Sequence, residues 1–476
     1  MIDRMESGQP QLDAVFGGGL PAAAITVIAG TPGTGKTMLA EQYVFHNATV
    51  ERPAIYFATT SEPLEKLVRF GQELTFFDPG RVGTAVMYDT LFPELASGGL
   101  QAVIERIIEV LRDMRPGIVV FDSFKALRAF AADELAYRTF VSELAGRLSA
   151  SPVSSLWVGE YHEDELMGSV EAAVADTILS LRSRNEGQRT LRQLRVEKVR
   201  GSQFLSGDHA YRLSASGLSV WPRLADPVDD ARPTPSEERI SLGSDEIDGL
   251  LDGGVWAGTA TLAMGPAGSG KTMLGLDFLA AGARAGRPGV LATLQESASQ
   301  LARVLAGRTG DQFGKHVTVH RRSPVDMYID EWVYGLLETA DAVNAELIVV
   351  DSLSDLRFAS SDQTRFEEYV YSLGQRCARN GTTLLMTLET RPPFAFAATM
   401  ETSLSHVVDN IVVVGYDIDG ADVRRAIHVL KSRGSAHDPS IREFRIEADG
   451  VHVGDPIAID VDPRLGVRAV GGPGAG

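Results

Sequence analysis

One glycine-rich octapeptide occurs twice in the chain, and that repeat limits the possible folds more than any other feature. Gly30 to Thr37 reads GTPGTGKT and Gly265 to Thr272 reads GPAGSGKT, with Lys36 and Lys271 at the same place in the two copies. Three further landmarks follow each copy in the same order. GIVVFDS ends at Asp122-Ser123 and LIVVDS at Asp351-Ser352; DTILSL begins at Asp176 and DNIVVV at Asp409; KVRGS begins at Lys198 and KSRGS at Lys431. The interval from the first copy to the second is nearly the same for every landmark. Four landmarks at nearly constant offset indicate one domain duplicated in tandem.

The boundary falls where composition changes. DPVDDARPTPSEE, 226–238, is rich in proline and acid and lacks apolar periodicity, so it reads as a linker. Domain 1 then spans 1–225 and domain 2 spans 239–458, leaving 459–476 as a flexible tail ending in GGPGAG. Short apolar runs at 24–29, 54–59, 117–121 and 156–159 have counterparts at 259–264, 289–294, 347–350 and 384–388. Runs this short and apolar suit parallel strands covered on both faces. Helical spacing separates them, at 100–114 and 331–344 for example. The alternation predicts an α/β fold, two tandem domains each with a mostly parallel sheet between helices. Beyond Asp176 and Asp409, closely spaced strands with short polar turns predict an antiparallel extension.

GxxxxGKT between a strand and a helix is a phosphate-binding loop: the glycines let backbone N–H groups face inward, and the helix N-terminus favours anions. The expected phosphate ligands are Thr31, Gly33, Thr34, Gly35, Lys36 and Thr37, and Pro266, Gly268, Ser269, Gly270, Lys271 and Thr272. Lysine suits the β- and γ-phosphates of ATP, and the Thr37 and Thr272 hydroxyls suit Mg²⁺. Asp122 and Asp351, each closing an apolar run, are the expected acidic partners of that ion.

Composition narrows the remaining classes. With 45 basic and 63 acidic residues the net charge is −18, which disfavours a nucleic-acid partner, since such binding rests on basic surfaces. The Arg-rich run 182–200 reads as a solvated strand face. No apolar stretch reaches membrane-spanning length, and the N-terminus lacks a secretory pattern, so the expected location is cytoplasmic. The single cysteine, Cys377, reads as a small buried side chain.

GGGLPAAAITVIAGTPGTGKTMLAEQYV and RISLGSDEIDGLLDGGVWAGTATLAMGPAGSGKTMLGLDFL resemble the openings of the two halves of KaiC-type ATPases in the RecA superfamily. HVLKSRGSAHDPSIREFRI, 428–446, is similar to the end of the second half. The resemblance covers nearly the whole chain and implies a homohexamer of two stacked rings, ATP lying between neighbouring subunits. It further implies that a Lys-x-Arg pair, here Lys198 and Arg200, and Lys431 and Arg433, reaches the γ-phosphate held by a neighbour. Its catalytic acids are two adjacent glutamates after the second core strand. This chain departs there: Thr60 and Ser61 occupy the positions in domain 1, with Glu62 one residue later, and Gln295 and Glu296 occupy them in domain 2. Glutamine orients water but accepts no proton from it. The expectation is ATP binding in both domains, with slow hydrolysis mainly in domain 2. The family's phosphorylated Ser-Thr pair corresponds to Ser405 and His406, leaving Ser405 as the phosphosite. Three functions stay open: a signalling ATPase with an unidentified protein partner, a nucleotide-dependent scaffold without catalysis, and a DNA-dependent recombinase or helicase.

Overall fold

The computed structural model describes residues 3–59, 64–186, 189–225, 236–294, 301, 312–323, 327–360, 363–390, 404–419, 422–457, 459–462 and 466–469. The chain divides into two compact units, Met1–Arg223 and Leu224–Gly476.

In unit 1 the strands of the main sheet are β1 (Ile25–Gly30), β2 (Ala54–Ala58), β3 (Val86–Thr90), β4 (Ile118–Asp122), β5 (Ser154–Gly159), β6 (Thr177–Glu186), β7 (Arg189–Val199), β8 (Asp208–Ser214) and β9 (Gly217–Trp221). They form one sheet in the order β3-β2-β4-β5-β1-β6-β7-β8-β9. Pairing is parallel from β3 through β6 and antiparallel from β6 to β9. The longer helices of unit 1 are α1 (Lys36–Asn47), α2 (Leu64–Gly71), α3 (Phe92–Asp113) and α4 (Glu134–Ser149). Strand alternation sorts the apolar side chains into two cores. Ile28, Tyr56, Val120 and Val158 face Leu39, Tyr43 and Val44 of α1. Val27, Phe57, Val119 and Trp157 face Ile104 and Ile107 of α3 and Phe140 and Leu144 of α4. Trp157 stacks on Phe124 at 3.9 Å between ring centroids.

Unit 2 repeats this plan with β10 (Ala260–Gly265), β11 (Gly289–Thr293), β12 (Val317–Arg321), β13 (Leu347–Asp351), β14 (Thr383–Glu389), β15 (Asn410–Asp419), β16 (Asp422–Ser432), β17 (Arg442–Ile446) and β18 (Val451–Pro456). The order is β12-β11-β13-β14-β10-β15-β16-β17-β18, position for position that of unit 1. Its helices include α5 (Lys271–Arg284), α6 (Ile329–Ala342) and α7 (Gln363–Arg379). Leu224 is buried in this unit, where its N–H donates to Asp330 and its carbonyl accepts from Arg365. Ile459–Asp462 pairs with Gly466–Ala469 inside the segment that composition marks as a tail, while the final glycines lie outside the described residues. Cys377 is buried in the core, which pushes its thiol up to about 12.

The start of each unit is fastened to a later loop by one arginine. Arg4 donates to the carbonyls of Phe16 and Gly19, both at 2.9 Å, and to the Ser202 hydroxyl. Arg239 donates to the carbonyl of Gly254 at 2.7 Å and to the Ser435 hydroxyl at 2.6 Å. Ser202 and Ser435 close the KVRGS and KSRGS motifs.

At one position unit 1 buries a carboxyl where unit 2 has an apolar side chain. Glu41 of α1 is only 3% exposed and accepts from the Tyr88 hydroxyl at 3.2 Å. Burial and the neighbouring Asp122 charge push its carboxyl up to about 7, against the tyrosine bond that lowers it. Leu276 holds the equivalent place in α5 of unit 2. A carboxyl raised in the folded state holds its proton more tightly there, so its ionisation lowers stability as pH rises from about 4.3 to about 7. Glu41→Gln is expected to stabilise unit 1 by roughly 3 kcal/mol at pH 8, the gain falling to about 1 kcal/mol at pH 5. Urea unfolding of the metal-free chain at the two pH values measures this.

Candidate functional site

In both units the phosphate loop leaves the C-terminal end of a central buried strand and enters a helix directly. Gly35 and Gly270 precede α1 and α5 with φ of 92° and 111°, left-handed values that side chains disfavour. A Cβ at Gly35 would also come within 2.6 Å of Leu213, and one at Gly270 within 2.7 Å of Phe444. The sequence requirement for glycine is therefore both conformational and steric.

The lysines bend back over their own loops. Lys36 Nζ donates to the Thr31 carbonyl at 3.0 Å and Lys271 Nζ to the Pro266 carbonyl at 2.7 Å. Burial lowers both ammonium groups below their usual value, opposed by Glu160 and Asp122 in unit 1 and by Glu389 and Asp351 in unit 2. Thr37 Oγ1 donates to Asp122 at 2.6 Å, and Thr272 Oγ1 to Asp351 at 2.8 Å. The threonine and aspartate of each expected Mg²⁺ pair thus meet although they are 85 and 79 residues apart in sequence. Thr34 donates to the Thr31 carbonyl at 2.8 Å, and its own carbonyl accepts from Tyr211. In unit 2 the Ser269 hydroxyl is buried with no hydrogen-bond partner among the described residues. A partnerless buried donor, a buried ammonium and a glycine-lined turn together fit a triphosphate, and a threonine hydroxyl beside a carboxylate suits a hard divalent cation. Mg²⁺, when bound, supplies neutralisation of phosphate charge.

In unit 1 these groups border a cavity of about 490 Å³. Its wall includes Gly33, Gly35, Lys36, Thr37, Asp122 and Glu160 on the polar side, and Leu67, Phe70 and Leu74 on the apolar side.

The two aspartates are held differently. Asp122 accepts from the Tyr56 hydroxyl at 2.6 Å, whereas Asp351 accepts from the Thr387 hydroxyl. Sequence reading missed Tyr56, Glu41, Tyr88, Thr387 and Glu160. A charged residue inside the apolar face of α1 was the available signal for Glu41, and none marked Tyr56 within its apolar strand.

The Lys-x-Arg pairs lie away from the loops of their own unit. Lys198 pairs with Ile178, which pairs with Val27 three residues before Gly30; Lys431 pairs with Ile411, which pairs with Leu262 three residues before Gly265. At strand rise that is about 10 Å, toward the opposite end of the sheet. Lys198 Nζ donates to the Ala172 carbonyl at 3.2 Å, and Arg200 pairs with Asp176 at 3.0 Å. Lys431 Nζ donates to the carbonyls of Ser405 and Val408, both at 2.6 Å, and Arg433 donates to the His406 carbonyl at 3.4 Å. Ser405 is half-buried in this turn. Burial and the adjacent arginine lower both lysines below their usual value. The Arg-rich run is extensively ion-paired: Arg182 pairs with Glu197 at 2.8 Å and Arg195 with Asp208 at 2.7 Å. Thr60, Ser61, Glu62, Gln295 and Glu296 lie outside the described residues. Among those described, no helix is long and apolar enough to cross a membrane.

The sequence is similar to those of known proteins. The family model described as "ATPase: KaiC" matches residues 5–225 and 240–457, one match for each unit. The circadian clock protein KaiC3 of Synechocystis sp. is 28% identical over 476 residues, covering 96% of this chain and 92% of its own length. The circadian clock oscillator protein KaiC of Picosynechococcus sp. is 28% identical over 464 residues, covering 93% and 88%. The protein of the same name from Nostoc sp. is 27% identical over 473 residues, covering 95% and 89%. Matched in both halves, and carrying a phosphate loop and its partnering aspartate in each, the chain belongs to the KaiC family of ATPases.

Proposed function

We propose that the chain is a regulatory ATPase whose copies form a homohexamer, with Mg-ATP at the subunit interfaces of both halves. The observation that carries this reading is the separation within each sheet. The loop that would hold the triphosphate leaves one end, while Lys198 and Arg200, or Lys431 and Arg433, sit toward the other. Cations so placed cannot serve their own loop and suit the loop of an adjacent copy. There, paired positive charge stabilises the charge that spreads over the γ-phosphate oxygens during transfer.

Hydrolysis is slow and resides mainly in the second half. Gln295 and Glu296 follow β11 in sequence, where one orients water and the other is able to accept a proton. Thr60 and Ser61 supply no carboxylate in the first half. Loss of general-base assistance typically costs about 10²–10⁴-fold in rate. Ser405 is the proposed phosphate acceptor. Its carbonyl receives the Lys431 ammonium, so the serine lies beside the cation assigned to the neighbour's γ-phosphate. Turnover or phosphorylation would alter the surface offered to a signalling partner.

The replaced glutamates favour a second reading, a nucleotide-dependent scaffold in which ATP only holds copies together. Steady-state phosphate release separates the two. The intact chain is expected to exceed a Lys36→Ala/Lys271→Ala double variant clearly, and equal rates would leave the scaffold.

Native mass measurement in millimolar Mg-ATP is expected to give a hexamer, and a monomer under those conditions would sink the assembly. Arg433→Ala is expected to keep nucleotide binding while lowering phosphate release by roughly 10²-fold or more, as for a cation acting only on the transition state. Mass spectrometry after incubation with ATP is expected to find phosphate on Ser405 and none at that turn in Ser405→Ala; an unmodified Ser405 removes the autokinase assignment.

A further inference from the structure

Glu160 stands at the mouth of the unit 1 phosphate site, and nothing above assigns it work. It directly follows β5, whose Gly159 pairs with Ala29, so it leaves the sheet level with Gly30, the first residue of the phosphate loop. It is exposed and shares the cavity wall with Lys36, Thr37 and Asp122. Unit 2 repeats the placement: Glu389 pairs with Gly265, the first residue of its loop. The interval from aspartate to glutamate, Asp122 to Glu160 and Asp351 to Glu389, is the same in both units.

Among the described acidic residues of the cavity wall, elimination leaves one free to act on water. Glu41 is buried and accepts from Tyr88. Asp122 accepts from Thr37 and Tyr56. Glu160 has no hydrogen bond or ion pair within the described residues and borders the same cavity as Lys36. A carboxylate on the cavity wall that also carries the loop lysine and Thr37 is placed to accept a proton from water in that cavity.

We propose that Glu160 is the catalytic base of ATP hydrolysis in unit 1, in place of the acids missing at Thr60 and Ser61. The assignment rests on the reading of unit 1 as an ATP site. The water oxygen bonds to the γ-phosphorus and its proton passes to a carboxylate oxygen of Glu160. The bond from that phosphorus to the β–γ bridging oxygen breaks, and ADP departs with the electron pair. Unit 1 is then a slow ATPase.

The test uses the full chain carrying Lys271→Ala, so that turnover comes from unit 1, with ATP affinity measured by calorimetry beside single-turnover hydrolysis. Adding Glu160→Gln is expected to lower the hydrolysis rate about 10²-fold or more while ATP binds as tightly or more tightly, since a negative charge leaves the site. Glu160→Asp should recover part of the rate, and the glutamine variant should lose the acidic limb of the pH–rate profile. An unchanged rate in Glu160→Gln overturns the assignment. So does the absence of hydrolysis above the Lys36→Ala/Lys271→Ala background when ATP still binds, an outcome that leaves the ATP site standing. No ATP uptake by the Lys271→Ala chain removes both.

Discussion

In each half a threonine hydroxyl in the first turn of a helix donates to an aspartate at the end of a strand, and this contact ties the phosphate loop to the sheet. Thr37 meets Asp122 and Thr272 meets Asp351 only because the loop strand and the aspartate strand are separated by a single strand, β5 or β14. That spacing brings both strand ends to one edge of a parallel sheet, where ligands of such folds collect. The helix start, the left-handed glycine and the buried lysine all depend on that junction.

The duplicated halves keep the junction and differ behind it. In unit 1 the aspartate rests on a tyrosine from β2, with a second tyrosine and a buried glutamate packed nearby. In unit 2 the counterparts of Tyr56 and Glu41 are Leu291 and Leu276, and a threonine from β14 holds the aspartate instead. At the positions of Tyr56 and Glu41, the first half therefore places a hydroxyl and a carboxyl where the second places hydrocarbon. Burying the glutamate costs stability at neutral pH, so the first half carries a polar cluster that packing alone does not explain.

Much of this was legible from spacing and apolar runs. The run 24–29 differs by one residue from Ile25–Gly30, and 331–344 by two from Ile329–Ala342. The edge strands Val86–Thr90 and Val317–Arg321 escaped notice because only part of each is buried, which leaves no continuous apolar run. Strand β5 begins two residues before the apolar run 156–159, because Ser154 and Ser155 are buried and accept from the Ala23 amide and the Trp157 indole. Helix α3 starts at Phe92 rather than 100, the extra turns lying before the non-helical Gly99 at φ 65°. At the site, phosphate loops and aspartates were readable because their chemistry demands fixed residue types. Tyr56 and Thr387 were not, since a hydroxyl at a strand position shows its partner only once the sheet is assembled.

Arg239 stands just beyond the segment that joins the two halves, and it clasps Ser435, two residues past Arg433. The entry of the second half is thus buckled to the turn that carries Lys431 and Arg433. A substitution at Arg239 would therefore be felt at Lys431 and Arg433, although nearly the whole of the second half separates them in sequence.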